Sequence, residues 1–151
     1  MQSQIRILGL DLGEKRIGVA LSDALGLTAQ GLTVIQRQGR KRSLDLVVEL
    51  AREHEVQEIV IGLPRHLDGR LGQGAEEALA WADELRERLH IPVHPVDERL
   101  TTMQAERVLL QADVSRRKRR QVIDKMAAGL ILQAFLDIRG QSREGGGQEV
   151  E

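Results

Sequence analysis

The chain has 151 residues, of which 41% are hydrophobic and 30% are charged, with no cysteine and a net charge of −1. These values are typical of one soluble globular domain. They exclude disulfides and thiolate metal sites, so any metal must be held by oxygen or imidazole ligands. No apolar run approaches the roughly 20 residues of a membrane span and no signal peptide opens the chain, which predicts a cytoplasmic protein.

Basic residues are concentrated in two clusters, although the net charge is close to zero. Residues 116–120 read Arg-Arg-Lys-Arg-Arg, and the second cluster comprises Arg37, Arg40, Lys41 and Arg42. Such clusters are either solvated surface or contacts to phosphate groups. The chain has one tryptophan, one phenylalanine and no tyrosine. That composition disfavours base stacking and favours recognition of the backbone if nucleic acid binds.

The first half of the chain alternates apolar runs with turn signals. Its predicted elements, in chain order, are strands at 5–11, 16–23 and 27–37, a helix at 42–54 and a strand at 56–62. Gly13 lies between the first two strands and supplies the dihedral freedom of a tight turn, so these strands are predicted to pair antiparallel. The glycine-rich stretch 63–74 is predicted to be a loop.

The second half is predicted to contain one more strand and three helices. A helical period begins at Ala75 and predicts a buried face made of Ala75, Ala78, Leu79, Ala82, Leu85 and Leu89, with Trp81 on its flank. Residues 93–97 form a strand that Pro95 places at a sheet edge. Thr101 and Gln104 form a capping box that opens a helix.

The last helix carries an apolar face made of Ile123, Met126, Ala127, Leu130, Ile131, Ala134 and Ile138. The polar residues 140–151 are predicted to be a disordered tail, which leaves 1–139 as the folded domain. Strands that alternate with helices indicate parallel pairing. The predicted fold is therefore α/β, a mixed five-stranded sheet of three antiparallel and then two parallel strands, flanked by helices.

Acidic residues follow the strands at the edge where ligands of such sheets gather. Asp11 ends the first strand, and Asp97 and Glu98 end the fifth, where the strand period sends only one of them to a shared site. Asp124, at the margin of the last helix, is either a helix cap or a third member of that site. Clustered carboxylates need a cation, and oxygen ligands suit Mg²⁺ or Mn²⁺. A two-metal site of this kind hydrolyses phosphodiester bonds, which predicts a nuclease.

Four segments together resemble the YqgF/RuvX family. They are Asp-Leu-Gly-Glu-Lys-Arg-Ile-Gly-Val-Ala-Leu-Ser-Asp at 11–23, Gly-Leu-Pro at 62–64 with Asp68-Gly69, Asp-Glu-Arg-Leu-Thr-Thr at 97–102, and Ile-Asp-Lys-Met-Ala-Ala at 123–128. The resemblance covers about residues 5–138. One departure is His66-Leu67, where the family usually has Asn-Met before Asp-Gly.

The resemblance implies a ribonuclease H-like fold and an acidic triad of Asp11, Glu98 and Asp124 that holds Mg²⁺ or Mn²⁺. Members are described as nucleases that mature the 5′ end of pre-16S ribosomal RNA, or as Holliday junction resolvases, which would favour a homodimer. Residues predicted to contact nucleic acid are Lys15, Arg16, Arg65, Arg99, Arg116, Arg117, Lys118, Arg119 and Arg120. Two alternatives of another class are an actin-like ATPase domain and a non-catalytic nucleic-acid-binding module.

Overall fold

The computed structural model describes residues 5–66, 68–98 and 125–140. Its named elements are β1 (Ile7–Leu12), β2 (Arg16–Ser22), β3 (Ala29–Gln36), α1 (Arg40–Glu53), β4 (Glu58–Leu63), α2 (Ala75–Leu89) and β5 (Val93–Asp97). Residues 125–140 are helical and are called the closing helix below. The predicted helix opened by Thr101 and nearly all of the predicted tail lie outside the described residues. None of the helices in the described ranges has the length and apolarity that a membrane crossing requires.

The five strands form one mixed sheet in the order β3-β2-β1-β4-β5. β1 pairs antiparallel with β2, and β2 pairs antiparallel with β3. β4 is parallel to both β1 and β5. The predicted arrangement of antiparallel and parallel strands is confirmed. Pro95 lies on β5, which is an edge strand of the sheet. An edge strand pairs on one side only, so a proline whose nitrogen faces the unpaired side removes no hydrogen bond of the sheet.

Helices cover both faces of the sheet and bury two separate apolar clusters. The larger cluster joins one sheet face to α1 and α2 and includes Leu8, Leu10, Val47 and Trp81. The smaller one joins the opposite face to the closing helix through residues that include Ile7, Val60, Ala128, Ile131 and Leu132. Alternate residues of β1 therefore face α1 and α2 or the closing helix, as the strand period requires.

The closing helix lies close to the sheet because glycines occupy the strand positions that face it. A Cβ added to Gly9 on β1 would lie 2.9 Å from Leu132 Cβ, and one added to Gly31 on β3 would lie 3.1 Å from Lys125 Cβ. Real Cβ atoms do not approach side chains that closely without a local shift. The glycines at these strand positions thus set how near the helix lies to the sheet.

The predicted inner face of α2 needs one correction. Trp81, expected on the flank, is fully buried, whereas Leu79, expected in the core, is 37% exposed. Ala75, Ala78, Ala82 and Leu85 are buried as predicted. The buried face of α2 is therefore shifted around the helix toward Trp81, relative to the predicted face. The large indole fills the space between α2 and the sheet, and Leu79 lies partly in solvent.

An ion-pair cluster anchors the far end of the closing helix to the sheet. Arg139 donates two hydrogen bonds to the Glu58 carboxylate, at 2.5 and 2.6 Å. His94 Nε2 lies 2.9 Å from Glu58 Oε1. Phe135 stacks on His94 at 4.9 Å between ring centroids and lies 4.5 Å from the Arg139 guanidinium carbon. The Arg139 hydrogen bonds, and then His94, hold the pKa of Glu58 below its ordinary value.

This lowered pKa predicts a pH-dependent cost for Arg139→Met. A carboxylate with a lowered folded pKa stabilises the fold above its unfolded pKa of about 4.5, and that stabilisation is lost as the pH falls through the folded value. We therefore expect a loss of about 1–3 kcal/mol at pH 7 in urea unfolding. The loss should be smaller at acid pH, once the pH has fallen below the lowered folded pKa of Glu58 and the carboxyl is protonated. An equal loss at both pH values would show that the cluster acts by packing alone.

Candidate active site

The carboxyl ends of β1 and β5 lie at the same edge of the sheet, because both strands run parallel to β4. Asp11 follows Leu10, whose partner on β4 is Ile61. Glu98 directly follows β5, and its N–H donates to Leu63 O at 3.3 Å. Asp11 and Glu98 are therefore separated by a single strand. The sequence placed both residues at strand ends, and the structure brings them together.

The Asp11 and Glu98 side chains are in direct contact. The two groups are close enough for Asp11 to affect the ionisation of Glu98. Burial first, and then the hydrogen bond and the negative charge of Asp11, raise the pKa of Glu98 to about 8, with a further contribution from the charge of Asp97. The raised pKa keeps Glu98 mostly protonated at neutral pH.

Gly62, on the strand between these two acids, provides the space for the Glu98 side chain. A Cβ added there would collide with Glu98 Oε1 and would lie 2.8 Å from Glu98 Cδ and 2.7 Å from Ile131 Cδ1. The carboxyl group therefore lies across the backbone of Gly62, beneath the closing helix. The sequence marked Gly62 only as the end of a strand and part of a motif. Nothing in its spacing indicated contact with Glu98.

Asp97 has a different neighbour from Glu98. Its carboxylate lies 3.9 Å from Arg65 Nε, in the loop that follows β4. Arg65 also donates to Gly69 O at 2.6 Å, and a β-bridge joins Arg65 to Leu71 across this loop. The expectation that only one of Asp97 and Glu98 reaches a shared site stays a prediction. Arg65, which is predicted to contact nucleic acid, lies beside Asp97 and also forms a hydrogen bond within its own loop.

Arg37 fixes the turn that follows Asp11. Its guanidinium donates to Gly13 O at 2.7 Å and makes two hydrogen bonds to Glu77 on α2, at 3.0 and 2.9 Å. The guanidinium carbon lies 5.9 Å from the Trp81 ring centroid. These bonds hold the pKa of Glu77 below its ordinary value. Arg37 is thus an internal brace, and the nearby Lys15 on the turn is exposed.

Several predicted site residues lie outside the described residues, namely Asp124, Arg99, Leu67 and the basic run 116–120. Asp124 directly precedes Lys125, the first described residue of the closing helix. Within the described ranges, no three acidic or histidine side chains are grouped as metal ligands. Asp11 and Glu98 supply two carboxylates, and the role of Asp124 as the third remains a prediction.

Solved structures of resolvases share this fold. RuvC of Thermus thermophilus, bound to a Holliday junction substrate, is 18% identical, with a TM-score of 0.58 over 90% of this chain and 96% of that chain. The fowlpox virus resolvase, also bound to junction DNA, is 11% identical, with a TM-score of 0.54 over 88% and 97% of the two chains. The predicted ribonuclease H-like fold is confirmed by this likeness.

Sequence relatives are more similar and match along nearly their whole length. A protein of Pelotomaculum thermopropionicum is 55% identical over 146 residues, which are 95% of each chain. One from Moorella thermoacetica is 56% identical over 138 residues, 91% of this chain and 99% of that one. Both are named "Putative pre-16S rRNA nuclease". The expectation of a hydrolase that acts on nucleic acid agrees with both names.

A family-level match spans the four segments singled out in the sequence. The sequence model described as "RuvX: Holliday junction resolvase" matches residues 5–138, from just before β1 to near the end of the closing helix. The resemblance inferred from the segments at 11–23, 62–64, 97–102 and 123–128 is confirmed. On this match and on relatives more than half identical, the chain belongs to the RuvX family.

Proposed function

We propose that this protein is a divalent-metal-dependent nuclease that hydrolyses phosphodiester bonds near the 5′ end of pre-16S ribosomal RNA. The observation that carries the proposal is the proximity of Asp11 and Glu98, whose carboxyl groups lie at the carboxyl ends of β1 and β5 on the same edge of the sheet. The names of the relatives more than half identical to this chain support the choice of substrate. A cytoplasmic location is part of the proposal, because the enzyme must reach that RNA.

The two carboxyl groups fit a hard cation. Their oxygen atoms are the ligands that Mg²⁺ and Mn²⁺ prefer, and cation binding would relieve the repulsion that otherwise keeps a proton on the pair. Asp11, Glu98 and Asp124 are the residues that would hold the metal. Bound metal would supply an activated water and charge stabilisation for the leaving oxygen. Asp11 and Glu98 would hold it where the sheet edge and the closing helix meet.

The substrate would be held by basic residues around this edge. Lys15 and Arg16 lie on the β1–β2 hairpin, after the carboxyl end of β1, and Arg65 follows the carboxyl end of β4, the strand between Asp11 and Glu98. Arg99 and the run 116–120 complete the predicted set. Because few aromatic residues are present, we propose that phosphates rather than stacked bases supply most of the affinity.

Cleavage of Holliday junctions is the second candidate, favoured by the printed description of the family model. The chemistry at Asp11 and Glu98 would be the same. A resolvase would work as a symmetric homodimer, because two sites must cut opposed strands. An ATPase domain or a non-catalytic binding module has no comparable support, since the relatives more than half identical are named nucleases.

Asp11→Asn is expected to lower cleavage by about a hundredfold or more, because it removes a carboxylate that would hold the metal. Wild type and variant are compared on a pre-16S RNA fragment and on a four-way DNA junction, with Mg²⁺, with Mn²⁺ and with EDTA. Only the wild type with metal should cleave, and the RNA should be the better substrate. Asp97→Asn is the matched control, since Asp97 faces Arg65, and it should retain cleavage.

Two results would overturn this proposal. Cleavage that survives both Asp11→Asn and EDTA would exclude the carboxylate–metal mechanism. Cleavage of the junction with no cleavage of the RNA would replace the ribosomal substrate with the resolvase activity.

A further inference from the structure

Three consecutive cations, Arg40, Lys41 and Arg42, open helix α1 with exposed side chains. Among the residues that the structure describes, none of the three forms an ion pair with a carboxylate. Arg40 lies near enough to Glu77 to contribute to the lowered pKa of that carboxyl, after Arg37. Lys41 and Arg42 are therefore the two least compensated cations of the group.

These cations occupy an electrostatically unfavourable position at the start of the helix. The positive end of a helix dipole disfavours basic residues in the first turn, by a few tenths of a kcal/mol each at the surface. The start of α1 has no acidic residue and no side-chain cap at Gly39. Helix α2 follows the opposite and favourable pattern, with Glu76 and Glu77 in its first turn and Arg86 and Arg88 in its last. The basic start of α1 therefore gains nothing for stability from its position.

Packing does not explain these residues either. The buried residues near the start of α1 are Ser43 and Leu44, and the three cations that precede them are exposed. Arg88, a neighbouring cation on α2, is in contrast paired with Asp45 at 2.8 Å. Basic residues that lower the stability of the helix and contribute nothing to the core indicate a binding partner outside the chain.

The chain enters α1 at the same edge of the sheet as the candidate active site. Gln36, the last residue of β3, pairs with Arg16 at the start of β2. The next residue, Arg37, donates its backbone N–H to Lys15 O at 3.0 Å. Lys15 lies on the turn that follows β1, which carries Asp11. The segment that leads into α1 is thus joined by a backbone hydrogen bond to the turn that follows Asp11, while α1 itself packs on the sheet face opposite to the closing helix.

We infer that Arg40, Lys41 and Arg42 form a second phosphate-binding surface, which holds the nucleic acid where it passes the β1–β2 turn on leaving the Asp11–Glu98 edge. This inference rests on the proposed function and extends the bound length of the substrate toward α1. A polyanionic backbone suits these residues because contacts to successive phosphates need several cations and no base-specific geometry. Lys15 links the two surfaces along one edge.

The test compares two arginines of the same helix. Arg42 and Arg52 are both exposed, and ten residues of helix separate them by about 15 Å. Binding of a labelled pre-16S RNA fragment and of a labelled four-way DNA junction is measured with the full chain, at several salt concentrations. Each change is made in the Asp11→Asn background so that cleavage does not intervene.

Arg42→Gln is expected to raise Kd about threefold to tenfold and to reduce the salt slope by about 0.9, the value of one lost phosphate contact. Lys41→Gln with Arg42→Gln should reduce the slope about twice as much. The melting temperature should stay the same or rise, because a cation leaves the positive end of the helix. Arg52→Gln should leave Kd and slope unchanged and lower the melting temperature slightly.

The outcomes separate this inference from the proposed function. If the Asp11→Asn protein binds RNA or junction and Arg42→Gln and Arg52→Gln bind equally well, the second surface is excluded while the nuclease proposal stands. If neither nucleic acid binds to the Asp11→Asn or the wild-type protein, the proposed function itself is overturned. An equal loss of binding in both arginine variants would show general charge attraction and would also exclude a surface at the start of α1.

Discussion

Glu98→Gln is expected to abolish cleavage and, in the absence of metal, to make the protein more stable above neutral pH. The glutamine has nearly the same shape as the protonated acid and can still hydrogen-bond to Asp11. It cannot become an anion, so the repulsion between two half-buried carboxylates disappears. It also removes a carboxylate that we propose as a metal ligand, and we expect cleavage to fall by at least about a hundredfold. Stability and activity thus move in opposite directions.

The gain in stability should follow the titration of Glu98. Its pKa is raised to about 8 in the folded protein, from an ordinary value of 4.5. A carboxyl with a raised folded pKa stabilises the fold fully below its unfolded pKa, and the stabilisation is lost as the pH rises through the folded value. The wild type should therefore lose stability between about pH 4.5 and pH 8, by up to a few kcal/mol. Glu98→Gln should not show this loss.

Thermal melting in EDTA at about pH 5, 7 and 9 measures the difference. We expect the variant to match the wild type at the lowest pH and to melt roughly 5 °C higher at the highest. Added Mn²⁺ should stabilise only the wild type, by mass action on the folded state. Glu49→Gln, an exposed glutamate on α1, is the matched control and should show none of these effects. A variant that melts lower than the wild type at every pH would contradict the repulsive pair.

Much of the fold could be predicted because local pattern and global packing agree. The β1–β2 hairpin follows from two apolar runs around Gly13, and the parallel pairing of β4 with β1 and β5 follows from alternation of strands and helices. The observed ends of the strands and helices differ from the predicted ends by a few residues, because backbone hydrogen bonds rather than residue types define where an element ends. The side of α2 that is buried was less predictable, because Trp81 displaced Leu79 from the core.

The acids of the site could be predicted, but not the contacts that hold them in place. Asp11 and Glu98 occupy strand ends, and topology brings strand ends together. The contact between Glu98 and Gly62, and the brace from Arg37 to Glu77, join residues 36 and 40 positions apart. No periodicity links such residues, and a glycine or an arginine has many other uses. These contacts depend on the distance between packed elements, which a sequence pattern does not encode.

Gly62→Ala is expected to disable the site without touching an acidic residue. The new methyl group would occupy the place of Glu98 Oε1 and would lie 2.7 Å from Ile131 Cδ1. The Glu98 carboxyl must move, and the end of the Ile131 side chain must shift as well. A displacement of about 1 Å at a reacting centre costs about a hundredfold in rate, and overpacking costs about 1–3 kcal/mol of stability. Activity should therefore fall far more than the folded fraction at a temperature well below melting.

Gly129→Ala is the matched control, because it adds the same methyl group to the closing helix where, apart from neighbouring backbone of that helix, none of the described residues has an atom within 4 Å. It should leave cleavage unchanged and stabilise the helix by up to about 1 kcal/mol. Cleavage rates, melting temperatures and Mn²⁺-induced stabilisation are measured for both variants. If Gly62→Ala cleaves normally at a temperature where it is folded, the Glu98 carboxyl does not need its position over Gly62 for cleavage. The expected role of Gly62 would then be excluded. If Gly62→Ala loses cleavage together with Mn²⁺-induced stabilisation while Gly129→Ala loses neither, the space above Gly62 is what holds Glu98 in position to bind metal.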